Sequence, residues 1–329
     1  MLLGCERQMK HVLVKTIVPI LCLICVVFVF FEYQNWTDSL ARIILFDKEV
    51  LIPDSSPYNK TNYVAFVKEV SSFVPYSKGD IKNIFYTIVN RGWGEFTFYC
   101  PSEYKSCLKD IKDITNDQDL LTHINNFVHP YHGFSSVKTY INENGEIKIV
   151  INYLYEKKIV NEINQRIDQI YKAIISETMS DYDKILTIHD YIINHTKYDV
   201  VRNETGNSPY QSYIAYGPLI EGYATCNGYT DAMALFLTKM NIPNYKVARI
   251  PPKNSNDEGH VWNALYFNNH WYHLDLTWDD PVSKDGKDYL QHKYFLITTS
   301  QLREADSLEV PITEHDFKEN IYIELKEQE

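Results

Sequence analysis

Excess positive charge, internal repeats and low-complexity tracts are all missing from this sequence. Its 329 residues include 43 Asp and Glu but only 32 Lys and Arg, which gives a formal net charge of −11. A protein that binds the phosphates of nucleic acid needs a basic surface, so nucleic acid is not a predicted partner. Hydrophobic residues make up 45% of the chain. That content excludes a disordered polymer, and the length suffices for about two domains.

Cysteine is also scarce, and its positions are informative. Of six cysteines, three lie within or before an apolar run near the amino terminus, and the others are Cys100, Cys107 and Cys226. Cys100 and Cys107 flank the short segment "PSEYKS", so a disulfide between them is plausible in an oxidising exterior. Cys226 then has no obvious partner. An unpaired thiol is either buried and inert or reactive, and its neighbours decide which.

Long apolar runs are absent except at the amino terminus. Residues 17–31 carry no charge, Lys10 and Lys15 precede them, and Glu32 ends the run. The run is short for a spanning helix of roughly 20 residues, but it lacks the polar face of a soluble helix. Because no small-x-small cleavage motif follows, an uncleaved signal anchor over residues 1–36 is favoured over a removed signal peptide. The preceding positive charges predict that the remainder is extracellular, or secreted if the leader is cut.

The rest of the chain divides into two parts by its patterns. Residues 37–155 are predicted to form a small α+β domain of unknown role, with an amphipathic helix around residues 108–128 and a hairpin that turns at Asn144-Gly145. Residues 156–329 begin with helical periodicity, and Ser180 gives the second helix a start signal. This second part is the predicted catalytic domain.

Cys226 lies directly before an amphipathic pattern in "EGYATCNGYTDAMALFLTKMNIP". The sequence therefore predicts that the thiol lies near the amino terminus of a helix. There the helix dipole and unpaired backbone N–H groups stabilise a thiolate and can receive a developing oxyanion. Taken alone, Cys226 could equally be a buried structural thiol, so the case for a nucleophile needs a base.

A base is predicted from hairpin geometry. The alternating runs "HVWNALYF" and "HWYHLDLTW" are separated by residues 268–269, a suitable two-residue loop. In that register Trp262 pairs with Asp275 and His260 pairs with Thr277. His260 and Asp275 then become diagonal neighbours on one face, where a hydrogen bond would fix the imidazole tautomer and aim its other nitrogen at the thiol. A one-residue slip would place them on opposite faces.

Several other titratable residues have structural explanations. His273 shares the face and competes as a base, but its position at a strand centre favours a packed histidine. Asp279 and Asp280 precede a proline and favour a turn-capping role. The loop "DDPVSKDGKD" fails the EF-hand pattern, and the two histidines of "HPYH" have no ligand cluster nearby. No metal and no cofactor are predicted.

Three blocks in the predicted catalytic part resemble the transglutaminase-like superfamily, in particular its bacterial members. They are "KILTIHDYIINHTKYD", "GYATCNGYTDAMALFL" and "GHVWNALYFNNHWYHLDLTWDDP", and the resemblance covers about residues 180–300. The resemblance implies a papain-like α+β core, with the nucleophile on a helix and the other two members of a triad on an adjacent antiparallel sheet. Position by position it implies Cys226 as nucleophile, His260 as base and Asp275 as acid. Ala224 and Thr225 stand where animal tissue transglutaminases have Gly-Gln, which puts glutamine-lysine crosslinking in doubt.

The sequence therefore predicts a cell-surface cysteine enzyme of acyl transfer, hydrolysing peptide or amide bonds in a protein or peptide substrate, with cell-wall peptide among the candidates. A crosslinking transglutaminase is the enzymatic alternative. A binding or assembly module that keeps the fold without turnover is the alternative of another class. Gln211 and Tyr216 are candidates for a second oxyanion donor, and the oligomeric state is not predicted.

Overall fold

The computed structural model describes residues 20, 23–33, 36–37, 50–53, 63–253, 259–281, 289–308 and 315–326. Residues 23–33 are helical and exposed to solvent. Nowhere in the described ranges does a helix reach the length and apolar character needed to cross a bilayer. The predicted anchor over residues 1–36 lies partly outside the described residues and stays a prediction.

From residue 63 onward the chain is mixed α+β. The α-helices are α1 (Lys78–Asn90), α2 (Cys107–Asn116), α3 (Gln118–Asn126), α4 (Lys157–Ile174), α5 (Asp181–Asn194), α6 (Val200–Thr205), α7 (Cys226–Lys239), α8 (Leu276–Asp279) and α9 (Thr299–Ser307). The strands are β1 (Glu95–Tyr99), β2 (Phe134–Ile141), β3 (Glu146–Tyr153), β4 (Lys197–Tyr198), β5 (Tyr223–Ala224), β6 (Asn244–Arg249), β7 (His260–Phe267) and β8 (His270–Leu274). Short helical turns lie at Pro130–His132, Gly217–Glu221 and Ile323–Leu325.

The amino-terminal part packs α1 to α3 against a three-stranded antiparallel sheet of order β1-β3-β2. Its predicted hairpin is present, with Gly145 at φ +86° in the turn. The prediction of a single helix around residues 108–128 is wrong, because the helix is interrupted at Asp117 and two helices form. The Asp117 side chain accepts a hydrogen bond from the Leu120 N–H at 3.0 Å and so caps a second helix. Cys100 and Cys107 form a disulfide, with Cα atoms 5.9 Å apart.

The predicted helices of the second part are confirmed as α4 and α5. Buried isoleucines spaced three and four apart place one face of each helix in the core. The start signal at Ser180 is also confirmed, since its hydroxyl oxygen accepts a hydrogen bond from the Asp183 N–H at 3.1 Å.

The second sheet is antiparallel, with order β6-β7-β8, and it contains the predicted hairpin. Phe267 pairs with His270, as a two-residue loop requires, and both loop asparagines have positive φ. The predicted continuation to a pair between His260 and Thr277 is wrong. Strand β8 ends at Leu274, and Asp275 turns the chain into α8 by capping it with its side chain.

The two faces of this sheet contribute to different cores. One face packs with the amino-terminal part and with the carboxyl-terminal segment, residues 315–326, through Tyr245, Val247, Trp262 and Ala264. Leu265 and Leu274 belong to the core around α4, α5 and α7. The amino-terminal part therefore shares a hydrophobic core with the predicted catalytic part, although the domain boundary at residue 155 stays a prediction.

A close backbone approach fixes the start of α7. The Thr225 N–H donates to the Ser212 carbonyl at 2.8 Å, which holds the preceding loop beside the helix terminus. A Cβ atom at Gly228 would lie 2.2 Å from the same carbonyl oxygen, closer than any real Cβ contact. Position 228 therefore has no room for a side chain without moving this loop.

Gly228→Ala is expected to lower the free energy of unfolding by about 1 to 3 kcal/mol, the usual cost of overpacking. Ala is otherwise favoured over Gly within a helix, so a loss must come from the contact with Ser212. Urea unfolding measures the change. Gly94→Ala is the matched control, because a Cβ there meets no atom within 4 Å. Equal stability of the two variants would contradict the packing described at Gly228.

Candidate active site

Cys226 is the first residue of α7, and its side chain is half-buried. The helical ladder begins with the Tyr229 N–H donating to the Thr225 carbonyl at 3.1 Å, so the N–H groups of residues 226–228 project from the helix end. Thr225 does not cap these groups with its side chain, because its hydroxyl donates to the Ser212 carbonyl instead, at 3.3 Å. The helix terminus beside the thiol thus lacks the usual side-chain cap.

His260 is the first residue of β7, and its ring is held between a carboxylate and the thiol. Its Nε2 atom lies 2.5 Å from Asp275 Oδ2. The Cys226 side chain lies close enough to the ring to affect its protonation. Because Nε2 faces Asp275, Nδ1 is the ring nitrogen left for the sulfur. The structure therefore brings the three predicted site residues together, although they come from a helix terminus, a strand start and a strand end.

The electrostatics of this group favour a charged imidazole. Burial disfavours the imidazolium, but the carboxylate of Asp275 and the nearby Cys226 side chain outweigh burial and raise the pKa of His260 to about 10. Burial likewise opposes the ionised carboxylate, yet His260 and a second histidine hold the pKa of Asp275 well below its ordinary value. The pair is therefore an imidazolium and a carboxylate at neutral pH.

Asp275 is held in place from both sides of its carboxylate. Oδ1 accepts hydrogen bonds from the N–H groups of Thr277 at 2.8 Å and Trp278 at 3.3 Å, which cap α8. Oδ2, the oxygen that faces His260, also lies 2.9 Å from His315 Nε2. The cap explains why Asp275 lies past the strand end and still faces His260.

His315 is the site residue that sequence analysis missed. Its side chain is fully buried, and its Nδ1 atom lies 2.8 Å from Asp306 Oδ1. The ring stacks on Tyr294, with centroids 4.8 Å apart. Burial disfavours its charged form, but hydrogen bonds to carboxylates on both ring nitrogens raise the pKa of His315 overall. No periodic pattern surrounds His315 in the sequence, so only the tertiary fold reveals its position beside Asp275.

The competing residues have other partners. The Trp262 indole N–H donates to His273 Nδ1 at 2.9 Å, and His273 Nε2 lies 3.0 Å from the Thr299 hydroxyl. Burial and the charge of His315 lower the pKa of His273 to about 3, so it is the packed neutral histidine that was predicted. Asp279 does not cap a turn as predicted but binds other elements, accepting from the Tyr294 N–H at 2.9 Å.

Of the two candidates for a second oxyanion donor, the Tyr216 hydroxyl and the backbone N–H of Gln211 are engaged elsewhere. The Gln211 backbone N–H donates to Glu221 Oε2 at 2.6 Å. The Tyr216 hydroxyl donates to Glu162 Oε2 on α4 at 3.0 Å. The projecting N–H groups of α7 therefore remain the donors identified beside the thiol.

Comparison with known proteins identifies the core. Residues 168–276 match the family model described as the transglutaminase-like superfamily, a range that contains Cys226, His260 and Asp275. These residues therefore form a transglutaminase-like domain, and the resemblance seen in the sequence is confirmed. His315 and Asp306 lie beyond the matched range. No curated protein matches the chain.

Solved structures with partial likeness include the crystal structure of a TGase, at 16% identity and a TM-score of 0.29, with 44% of this chain and 45% of that chain covered. A proposed cysteine protease from Cytophaga hutchinsonii has 14% identity and a TM-score of 0.28 over 43% of this chain and 61% of that one. The periplasmic domain of TgpA from Pseudomonas aeruginosa, bound to ethylmercury, has 13% identity and a TM-score of 0.18 over 40% and 55%. This chain thus spans about half the length of these structures.

Replacing His315 by Gln is expected to lower the free energy of unfolding by about 1.5 to 3 kcal/mol, because it removes one of the two charged histidines that bond to the buried Asp275 carboxylate. The loss depends on pH. The stability that comes from the lowered pKa of Asp275 is present above about pH 4 and is lost as pH falls through the pKa of the folded state. The stability that comes from the raised pKa of His315 is fully present below about pH 6.5 and is lost as pH rises through the pKa of the folded state. The difference from wild type is therefore largest in between.

Urea unfolding at acidic, near-neutral and alkaline pH measures this difference. His270→Gln serves as the control, because His270 is exposed at the hairpin turn. A destabilisation that does not change with pH would contradict the charged bridge between His315 and Asp275.

Proposed function

We propose that the transglutaminase-like domain of this chain is a cysteine hydrolase that cleaves peptide or amide bonds, with Cys226 as nucleophile, His260 as base and Asp275 as orienting acid. The observation that carries the proposal is that Cys226 lies beside the His260 ring, whose Nε2 atom is hydrogen-bonded to Asp275. A nucleophile that bonds to a base, which in turn bonds to an orienting group, is the arrangement of covalent acyl-transfer enzymes.

The reaction would proceed in two acyl transfers. The Cys226 thiolate attacks the substrate carbonyl carbon, and the first-turn N–H groups of α7 stabilise the oxyanion that forms. The imidazolium of His260 donates its Nδ1 proton to the leaving amine, and the C–N bond breaks to leave a thioester on Cys226. The neutral imidazole then removes a proton from water, which attacks the thioester and releases the acid. The release of the acid restores the thiolate of Cys226 and the imidazolium of His260.

Asp275 acts on the base throughout this cycle. Its bond to Nε2 keeps the proton on that nitrogen in the neutral ring, so that Nδ1 faces the sulfur. Its charge also stabilises the imidazolium that precedes each proton donation. His315 positions Asp275 rather than touching the reacting atoms, because it contacts the oxygen behind His260.

We further propose that the domain acts outside the cell, held by the predicted anchor at residues 1–36. The disulfide between Cys100 and Cys107 supports this location, since such bonds persist in oxidising compartments and are rare in reducing ones. The Lys and Arg residues before the apolar run support the same orientation. A surface protein or cell-wall peptide is then the substrate class.

Water is the proposed acceptor, and the enzymatic alternative is a primary amine. Thr225 and Ala224 precede the nucleophile, in place of the Gly-Gln pair of animal tissue transglutaminases. Hydrolysis and transamidation share the thioester, so only the product distinguishes them.

The test incubates the full-length chain with a peptide library, with and without a primary amine, and identifies products by mass spectrometry. We expect hydrolysed peptides from wild type and a loss of roughly 100-fold or more with Cys226→Ala or His260→Ala, because general base catalysis contributes 10²- to 10⁴-fold. His270→Ala is the matched control, an exposed histidine on the same hairpin, and it should retain wild-type turnover.

Other outcomes discriminate the alternatives. Amine incorporation in place of hydrolysis would replace the hydrolase by a transglutaminase. Absence of turnover, together with alkylation of Cys226 by iodoacetamide that is equally slow in wild type and His260→Ala, would contradict both enzymes and favour a binding module.

A further inference from the structure

A second group of histidines and carboxylates lies away from the thiol, on α5 and the segment after residue 289. Asp190 Oδ1 lies 2.9 Å from His189 Nδ1 and 2.7 Å from His292 Nε2. The three atoms all lie within 4.8 Å of one another. Two imidazole nitrogens and one carboxylate oxygen therefore converge on a single small volume, from two consecutive residues of α5 and from His292, 102 residues beyond Asp190.

The ring of His189 is oriented by a further carboxylate. Its Nε2 atom lies 3.2 Å from Asp279 Oδ2, and both side chains are completely buried. With Nε2 donating to Asp279, loss of the Nδ1 proton that bonds to Asp190 would free the lone pair of Nδ1 for a metal ion. A carboxylate behind a histidine is the arrangement that fixes the tautomer and ring orientation of metal-binding histidines. Asp279 thus provides an observation independent of the cluster itself.

We propose that His189, Asp190 and His292 bind a divalent transition-metal ion of the zinc class, with Asp279 orienting His189. Two imidazoles and a carboxylate suit zinc in ligand type, and three protein ligands leave a fourth position for water. The ion can enter from solvent, because the side chains of His292 and Asp190 are 44% and 31% exposed. The buried ring of His189 forms the inner wall.

The triad region holds a second convergent group of the same composition, His260, Asp275 and His315. That group is buried on every side, and both of its rings bond to one oxygen of Asp275. The hydrogen bonds of His260 and His315 to Asp275 already explain why these three side chains converge. The α5 group has the solvent side that an exchangeable ion requires, so the proposal concerns that group.

The ion would connect α5 to the active-site region. Asp279 is the last residue of α8, and α8 begins at the Asp275 cap. A bound ion holds His189 in the orientation that bonds to Asp279 and so stabilises α8 indirectly. The role inferred is structural, because none of the three ligands contacts Cys226 or His260 in the contacts that the structure describes.

The test uses the full-length chain in a Cys226→Ala background, purified without a metal-affinity tag, so that the thiol cannot act as a ligand. Equilibrium dialysis against Zn²⁺ gives the stoichiometry, and Co²⁺ substitution gives a visible spectrum that reports nitrogen and oxygen ligands. We expect one ion per chain. His292→Ala should bind at least tenfold more weakly, and Asp279→Asn about 10- to 100-fold more weakly, as for other residues that support metal ligands.

His270→Ala should bind as the parent does, because this exposed histidine lies on the β7-β8 hairpin. Circular dichroism of each variant checks that it is folded. Lack of saturable binding of one ion would overturn the proposal, and so would unchanged affinity in folded His292→Ala. Binding lost in His315→Gln but kept in His292→Ala would assign the ion to the triad region and also overturn it. Since the background lacks Cys226, none of these results depends on the proposed hydrolase activity.

Discussion

One carboxylate oxygen of Asp275 lies between two histidine rings, at 2.5 Å from His260 and 2.9 Å from His315, and the geometry of the site depends on that arrangement. The opposite oxygen caps α8, so the acid is fixed by backbone N–H groups as well as by side chains. Such a buried anion is costly unless every lone pair has a partner. Here the partners that offset this cost include His260, whose ring Asp275 holds in place.

The sheet that carries His260 is buried on both faces, and this explains the place of the amino-terminal part. One face of β6 and β7 packs with that part and with the carboxyl-terminal segment, while the other packs on α7. The Tyr322 hydroxyl lies within hydrogen-bonding distance of His123 Nδ1 and the Asn126 amide, and it accepts from the Ala248 N–H. The carboxyl-terminal segment that supplies His315 is thereby fixed between the two parts of the chain.

Local patterns predicted the helix that starts at Cys226, the helices α4 and α5, and the hairpin between β7 and β8, because each depends on periodicity, a cap or a short loop. The approach of His260 to Asp275 was predicted for a partly wrong reason. Strand β8 ends at Leu274, one residue before Asp275, and Asp275 is the N-cap of α8. The break at Asp117 was missed because two amphipathic helices in sequence resemble one. His315, Asp306 and the group around His189 could not be predicted, because tertiary packing alone brings them to their partners.

Whether Cys226 carries the acyl group is decided by intact-protein mass spectrometry after acid quench of a reaction with peptide amides, followed by peptide mapping. The arrangement of thiol, imidazole and carboxylate predicts a transient adduct of acyl mass on the peptide that contains Cys226. Hydroxylamine should remove it, as it does other thioesters, and Cys226→Ala should lack it. Turnover that persists in Cys226→Ala, or an adduct mapped to another residue, would contradict the role given to this thiol.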